Sequence, residues 1–272
     1  MGQESFKTED IQGKNEKTKK EGGYNLEEIK ELEKPLALVL EKLKANIEDG
    51  VYDVLLSDDK GGRIPTLALR EIMNKANQET GRGNVLVYFL SAGNALSRLA
   101  EEGKEMKEYI KKEVKDKVER RALVVTEYVA SGMSIKVLAD ILSEAGIAAF
   151  DVAALVCNRD DVALGEGHQF FSGITPENAE ENGWHVSALE GVALPLIYGA
   201  RISGVTKRGD EPHPTLDPLL KKATRIELKN IAGNPLAFKK KRQEREKMRE
   251  NVNKAREDVK TLAENTEKAL GW

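Results

Sequence analysis

One cysteine, Cys157, stands among the 272 residues. No disulfide can form within the chain, and a lone thiol inside the apolar run DVAALVC fits a reducing compartment. It reads as a core side chain rather than a nucleophile. Histidine is scarce too. His168, His185 and His213 share no metal-ligand spacing, so a zinc site is not expected. No apolar run approaches the roughly 18 residues that a membrane span needs, and the polar start MGQESFKTEDIQGKNEK has no apolar stretch of a secretion signal. The chain begins Met-Gly, but the myristoylation pattern wants Ser or Thr where Phe6 stands. Nor is there an excess of one charge. Lys and Arg number 43 against 46 Asp and Glu, a formal net charge of −3, so no bulk attraction to nucleic acid follows. Neither a membrane nor nucleic acid is an expected partner, and the expected location is the cytoplasm.

What is present is alternation. Apolar runs at 51–57 (VYDVLLS), 84–92 (NVLVYFLSA), 122–125 (ALVV) and 149–157 (AFDVAALVC) read as strands. Amphipathic helices are expected between them at 65–78, 95–120 and 133–146. Before the first strand, Leu36, Leu38, Val39, Leu40, Leu43 and Ile47 give residues 25–49 a helical apolar face. Strands alternating with helices predict an α/β fold: a parallel-sheet, Rossmann-like core with the ligand at one rim of the sheet. Residues 1–23, polar and Lys/Glu-rich, are read as a disordered tail. Residues 158–205 have poor periodicity and are read as a small hood or lid on a domain spanning 24–205, followed by a connecting segment at 206–234. From 235 to 272 the chain reads as a charged amphipathic helix. Met248, Val252, Ala255, Val259 and Leu262, continued by Thr266 and Ala269, form a heptad-like seam. That seam suits either packing on the helix's own domain or a coiled coil in a homodimer. Its basic run FKKKRQEREKMR reads as a solvated face.

Two loops could carry chemistry. The first lies in RALVVTEYVASGMSIKVLADILSEAGI, where a buried strand stops at Thr126 and Glu127 and passes through small residues into a helix near Met133. Backbone N–H groups at such a helix start favour an anion, usually a phosphate. Glu127 would then hold the hydroxyls of the sugar bearing it, with Ala130, Ser131, Gly132, Met133 and Ser134 around the phosphate. An ordinary strand–loop–helix connection with a serine N-cap stands as the other reading. The second loop is LLSDDKGGRIP, where Asp58, Asp59, Lys60, Gly61, Gly62 and Arg63 follow a strand and precede a helix. Paired glycines let the backbone approach a ligand closely, and Lys60 and Arg63 could neutralise a polyanion. A salt-bridged tight turn is the alternative there. Two such loops at the ends of two parallel strands suggest one ligand with phosphates at both ends.

The pair resembles the type I phosphoribosyltransferase family, whose members bind 5-phosphoribosyl-1-pyrophosphate. VVTEYVASGMS, Val124 to Ser134, is similar to that family's strand, acidic pair and phosphate loop, and DKGGR is similar to its pyrophosphate loop. VAALVCNRDD is similar to the strand beyond the ribose-phosphate helix in the purine-salvage branch. The resemblance covers roughly residues 35–205. It implies ribose binding by Thr126 and Glu127, with Glu127 the catalytic carboxylate. It implies 5-phosphate binding by Ala130 to Ser134, and pyrophosphate binding by Asp59, Lys60, Gly61, Gly62 and Arg63. Magnesium (Mg2+) would be held by Asp59 and Glu127, mostly through substrate oxygens and water. The implied reaction is transfer of the phosphoribosyl group to or from a nucleobase-like acceptor. The chain departs from the family at Thr126, where an acid is usual, and at Ala130, where a hydroxyl residue is common. Those departures keep a second expectation open: a catalytically weak or inactive protein that binds a nucleotide or phosphoribosyl ligand and regulates.

Overall fold

Tyr52, Val54, Leu55 and Leu56 are at most 1% exposed, so neither face of the strand that carries them meets water. In the computed structural model that strand lies inside a parallel sheet. The structure describes residues 23–58, 61–90, 102–159, 162, 164–187, 191–193 and 235–272, with side chains of the last segment described from Arg249 onward. The sheet is built from β1 (Tyr52–Asp58), β2 (Leu86–Leu90), β3 (Arg121–Val129), β4 (Phe150–Cys157) and β5 (Phe170–Ile174). Its order is β2-β1-β3-β4-β5, and each neighbouring pair is parallel. The expected α/β, Rossmann-like core is therefore what the chain forms.

Alternation along the strands divides the core in two. Leu55, Leu123, Val125, Ala153 and Leu155 pack on one face with α2 (Glu33–Glu48) and α3 (Arg63–Glu79), which follow the short α1 (Glu27–Lys30). Val54, Leu56, Ala122, Val124, Val152 and Ala154 pack on the other. There they meet α4 (Glu102–Tyr109), its π-helical continuation Ile110–Val114, and α5 (Met133–Glu144). Each fully buried Leu or Val contributes about 1.5–3 kcal/mol to this arrangement. A two-stranded antiparallel hairpin, β6 (Val186–Ser187) with β7 (Gly191–Val192), stands outside the main sheet.

The last helix, α6 (Pro235–Leu270), lies on α1, α2 and α3. Ala255, Val259, Leu262, Ala263 and Thr266 are at most 5% exposed, so the seam from Ala255 onward is spent on the helix's own domain. Ala269, counted in that seam from the sequence, is exposed. Polar groups fix the docking. The Asp258 carboxylate accepts the N–H groups of Asn25 (2.9 Å) and Leu26 (2.8 Å) just before α1. Lys75 pairs with Glu267 at 2.8 Å, and the Lys44 ammonium lies over the Trp272 ring.

Two expectations need correction. The third strand does not stop at Val125: it runs to Val129, with Thr126, Tyr128 and Val129 paired to Ala154, Val156 and Cys157. Thr, Tyr and Val all favour a pleated, half-buried surface, and β4 offers a partner along the whole length. Phe170–Ile174, assigned to the hood, is instead the fifth strand of the core sheet. Ser172 and Gly173 interrupt its apolar pattern, and as an edge strand it needs little of one. The expected tail (apart from Gly23) and the connecting segment lie outside the described residues, as do 194–205 of the expected hood.

Candidate functional site

The sheet order decides where a ligand fits. From β1 the chain crosses to β2 on one side, then returns past β1 to β3 and continues outward to β4 and β5. The direction therefore reverses between β1 and β3. At such a switch point the connections leave on opposite faces, and a crevice opens beyond the carboxyl ends of the two strands. The loop after β1 leads into α3 on one face, and the loop after β3 leads into α5 on the other. Both helix starts thus border one crevice, with the Ala130–Ser134 loop before one and Gly61 and Gly62 before the other. Each N-cap is a glycine, Gly62 for α3 and Gly132 for α5, with no side chain to cap the first turn. Uncapped helix starts of 17 and 12 residues bring positive dipole ends to the same place.

The loop after β3 is short. Gly132 has φ +76°, a left-handed conformation that glycine adopts without a steric penalty. Its carbonyl accepts the first helical bond from Lys136 at 2.9 Å. Ser131 Oγ reaches the Met133 N–H only at a long 3.4 Å, so the serine cap is weak. Ala130 and Ser131 are exposed, Met133 is 56% exposed, and Ser134 is half-buried on the first turn of α5. A ligand can reach this loop.

Buried polar side chains cluster in sequence near the carboxyl ends of β1 and β3. Ser57, near the end of β1, and Thr66, on the first turn of α3, are both 0% exposed. Thr126 and Glu127 near the end of β3 are 2% and 0% exposed. Polar groups are costly to bury, so four of them near these two strand ends ask for a reason. Thr66 Oγ1 has no hydrogen-bond partner among the described residues. The Glu127 carboxylate is buried at both oxygens and is engaged within the chain. Thr126 and Glu127 are thus both buried near the end of β3, and strand alternation sends their side chains to opposite faces of the sheet.

Of the second loop, Asp59 and Lys60 lie outside the described residues. Gly61 and Gly62 are buried where β1 turns into α3. Arg63, the first residue of α3, holds its guanidinium over the Phe89 ring of β2, 4.8 Å from the centroid. A ring face attracts a cation by about 0.5–1 kcal/mol at an exposed site, which steadies Arg63 beside the end of β1.

Sequence reasoning passed over two further residues here. Arg159 is exposed just past β4 and donates through Nη1 to the Ser131 carbonyl at 3.3 Å, placing a cation beside the Ala130–Ser134 loop. Asn158 donates through Nδ2 to the Tyr128 phenol at 2.6 Å. Their position directly after the strand that neighbours β3 is the signal that could have found them.

The remaining candidates fall elsewhere. His168 stacks on Phe150 with centroids 4.0 Å apart, and its Nδ1 lies 2.7 Å from the Phe150 carbonyl. It borders a cleft of about 460 Å³ with Asn46, Val51, Arg121, Asp151 and Gln169. These residues gather at the amino end of the sheet, away from the crevice. There Asp151 is spent on Arg121 (2.6 Å), the Gln169 N–H (2.8 Å) and the Tyr52 phenol (2.8 Å). Cys157 is fully buried in β4, as expected of a core thiol. Trp184 is half-buried and packs against the core cluster that includes α2 and α3. No group of three or more His, Cys, Asp or Glu side chains suited to a metal occurs among the described residues.

The fold is an open α/β sheet with a switch point between β1 and β3. No protein-family model matches the chain. No curated protein matches it either. Among the described residues, no helix is long and apolar enough to cross a membrane.

Proposed function

We propose that the crevice between β1 and β3 binds a phosphorylated ribose, and that the protein is a magnesium-dependent phosphoribosyltransferase. Its substrates would be 5-phosphoribosyl-1-pyrophosphate and a nucleobase-like acceptor. One observation carries the reading. Two helix starts far apart in sequence, each preceded by a loop whose residues suit an anion, border the switch point of the sheet between β1 and β3. In this reading the Ala130–Ser134 amides hold the 5-phosphate, Glu127 the ribose hydroxyls, and the Asp59–Arg63 loop the pyrophosphate. The β6–β7 hairpin is the described part of a hood over the acceptor. Magnesium, bound with the substrate, would neutralise charge on the pyrophosphate.

The chemistry fits those roles. The bond from the anomeric carbon to the pyrophosphate oxygen breaks, and its electron pair leaves with pyrophosphate. The acceptor nitrogen then bonds to that carbon and loses its proton. Charge builds on the leaving group at the α3 helix start and Arg63, where preorganised donors act most strongly; one such donor is typically worth about 100- to 1,000-fold in rate. Arg63→Ala should weaken pyrophosphate and 5-phosphoribosyl-1-pyrophosphate at least ten-fold in calorimetric titration, while ribose 5-phosphate stays within two-fold. Equal weakening of both ligand classes would make the loop structural and remove the pyrophosphate assignment.

A second reading rests on β3. Thr126 stands where the family has an acid, and both oxygens of Glu127 are buried. A protein with these features would bind a phosphoribosyl ligand or nucleotide without turning it over, and so act as a regulator. Release of pyrophosphate across a panel of nucleobases separates the two: turnover supports the enzyme, and binding without turnover supports the regulator.

A further inference from the structure

We infer that Asn158 latches the β6–β7 hairpin onto the end of β3 and is the positioning residue for the base-bearing part of the ligand. The ligand assignment rests on the phosphoribosyl reading; the latch itself is a property of the fold. Asn158 follows the last residue of β4 and touches two structures at once. On the sheet side, its backbone N–H donates to the Val129 carbonyl at 2.9 Å. Its Nδ2 donates to the Tyr128 phenol at 2.6 Å. Tyr128 and Val129 lie between Glu127 and the Ala130–Ser134 loop, so the sheet side of the latch is the ribose-phosphate strand. On the hairpin side, Asn158 Oδ1 accepts the Val192 N–H at 2.8 Å.

Gly191 completes the joint. It has φ +73°, and a Cβ added there would meet Cγ and Nδ2 of Asn158 at 2.7 Å. Only a residue without a side chain lets the hairpin backbone come this close. The hairpin needs such an anchor, because two residues per strand do not hold a free hairpin together in water. Val192 is also buried, 1% exposed, Val186 packs against the core, and the Ala193 N–H bonds across the hairpin to the His185 carbonyl at 3.0 Å. Asn158 is thus the side chain that sets the hairpin's height over the end of β3. If a base is held under the hairpin and the phosphate in the loop, Asn158 fixes the distance between the two halves of the ligand.

The test compares Asn158→Ala and Gly191→Ala with the full-length wild-type chain, one attacking the joint from each side. The probes are ribose 5-phosphate and the nucleoside 5′-monophosphates AMP, GMP and UMP. Each variant should bind the preferred nucleotide at least ten-fold more weakly, with ribose 5-phosphate changed less than two-fold. The double variant should be no worse than the poorer single one, because both changes break one contact. Equal loss of ribose 5-phosphate and nucleotide overturns the inference, as does nucleotide binding left unchanged. If the wild-type protein binds no probe, the phosphoribosyl reading falls, and hydrogen exchange then decides the latch alone. In Asn158→Ala, exchange should rise at Val192 and Ala193 and not along β3. A hairpin left unchanged, or a rise across β3 as well, overturns it. Should Asn158→Ala fail to fold, Asn158→Asp is the second arm: its carboxylate can accept both the Val192 N–H and the Tyr128 O–H, so hairpin protection should match the wild type. Loss of that protection overturns the latch.

Discussion

Replacing Leu262 by Ala tests whether α6 is part of the domain or an appendage. Leu262 is 0% exposed, in one cluster with residues of α2 and α3. Transfer of a buried Leu is worth about 1.5–3 kcal/mol, and the cavity left behind raises the usual cost of Leu→Ala to about 2–5 kcal/mol. Asp258, one turn earlier, is also 0% exposed and accepts the N–H groups of Asn25 and Leu26 and the Asn25 side-chain amide. Asp258→Ala strands those donors at about 1–3 kcal/mol. The two sites lie on one turn, so their costs should not add. A domain is stable by only about 5–15 kcal/mol, so Leu262→Ala alone should remove a large fraction. Urea titration reads this directly, as a lower midpoint at unchanged slope. A Leu262→Ala unfolding free energy within about 0.5 kcal/mol of wild type, typical of a surface site, would refute the docking. The seam would then be open to a second chain, and light scattering on the wild type should show a dimer.

Gly132→Val should weaken ribose 5-phosphate at least ten-fold, because the loop must leave the φ of +76° that presents its amides. The left-handed conformation costs an L-residue about 1–2 kcal/mol, so Tm should also fall by about 2–8 °C; unchanged affinity in a folded variant would count against the phosphate loop. Tyr52 supplies a pH test. Burial, with the Asp151 carboxylate beside it, holds its phenol well above the ordinary value near 10. Its contribution to stability is therefore complete below about pH 10 and is lost as the pH rises further, when the unfolded chain ionises and the folded one does not. The slope from this group is about −1.4 kcal/mol per pH unit, and Tyr52→Phe should remove it. Urea midpoints at pH 9 and 11 check this, and an unchanged slope in Tyr52→Phe would contradict it.

Much of the core was legible because its strands are buried on both faces. Short runs such as VLL and LVV could be little else once helices with 3.6-residue periodicity lay between them. The order of the strands was not legible, since nothing local to β1 or β3 says that they are neighbours. That pairing turned two separate loops into the borders of one crevice. Phe170–Ile174 escaped notice because an edge strand tolerates Ser172 and Gly173 where a central strand would not. Thr126 and Glu127 misled in the opposite direction: polar residues suggested that β3 had ended, when the strand continues past both, with Thr126 paired to Ala154 and both side chains buried. Asn158 and Arg159 carry no motif of their own. Their roles come from lying one strand away from Tyr128 and Ser131, a long-range relation that spacing does not encode.

The most direct test of the phosphoribosyl assignment is calorimetric titration of the full-length protein with 5-phosphoribosyl-1-pyrophosphate in the presence of magnesium. The account predicts saturable binding at one site per chain, competed by ribose 5-phosphate and by pyrophosphate separately, since each occupies one end of the crevice. It also predicts that Gly132→Val removes the ribose 5-phosphate competition and Arg63→Ala the pyrophosphate competition. No heat of binding with the wild-type protein, or binding that neither fragment competes, would contradict the assignment.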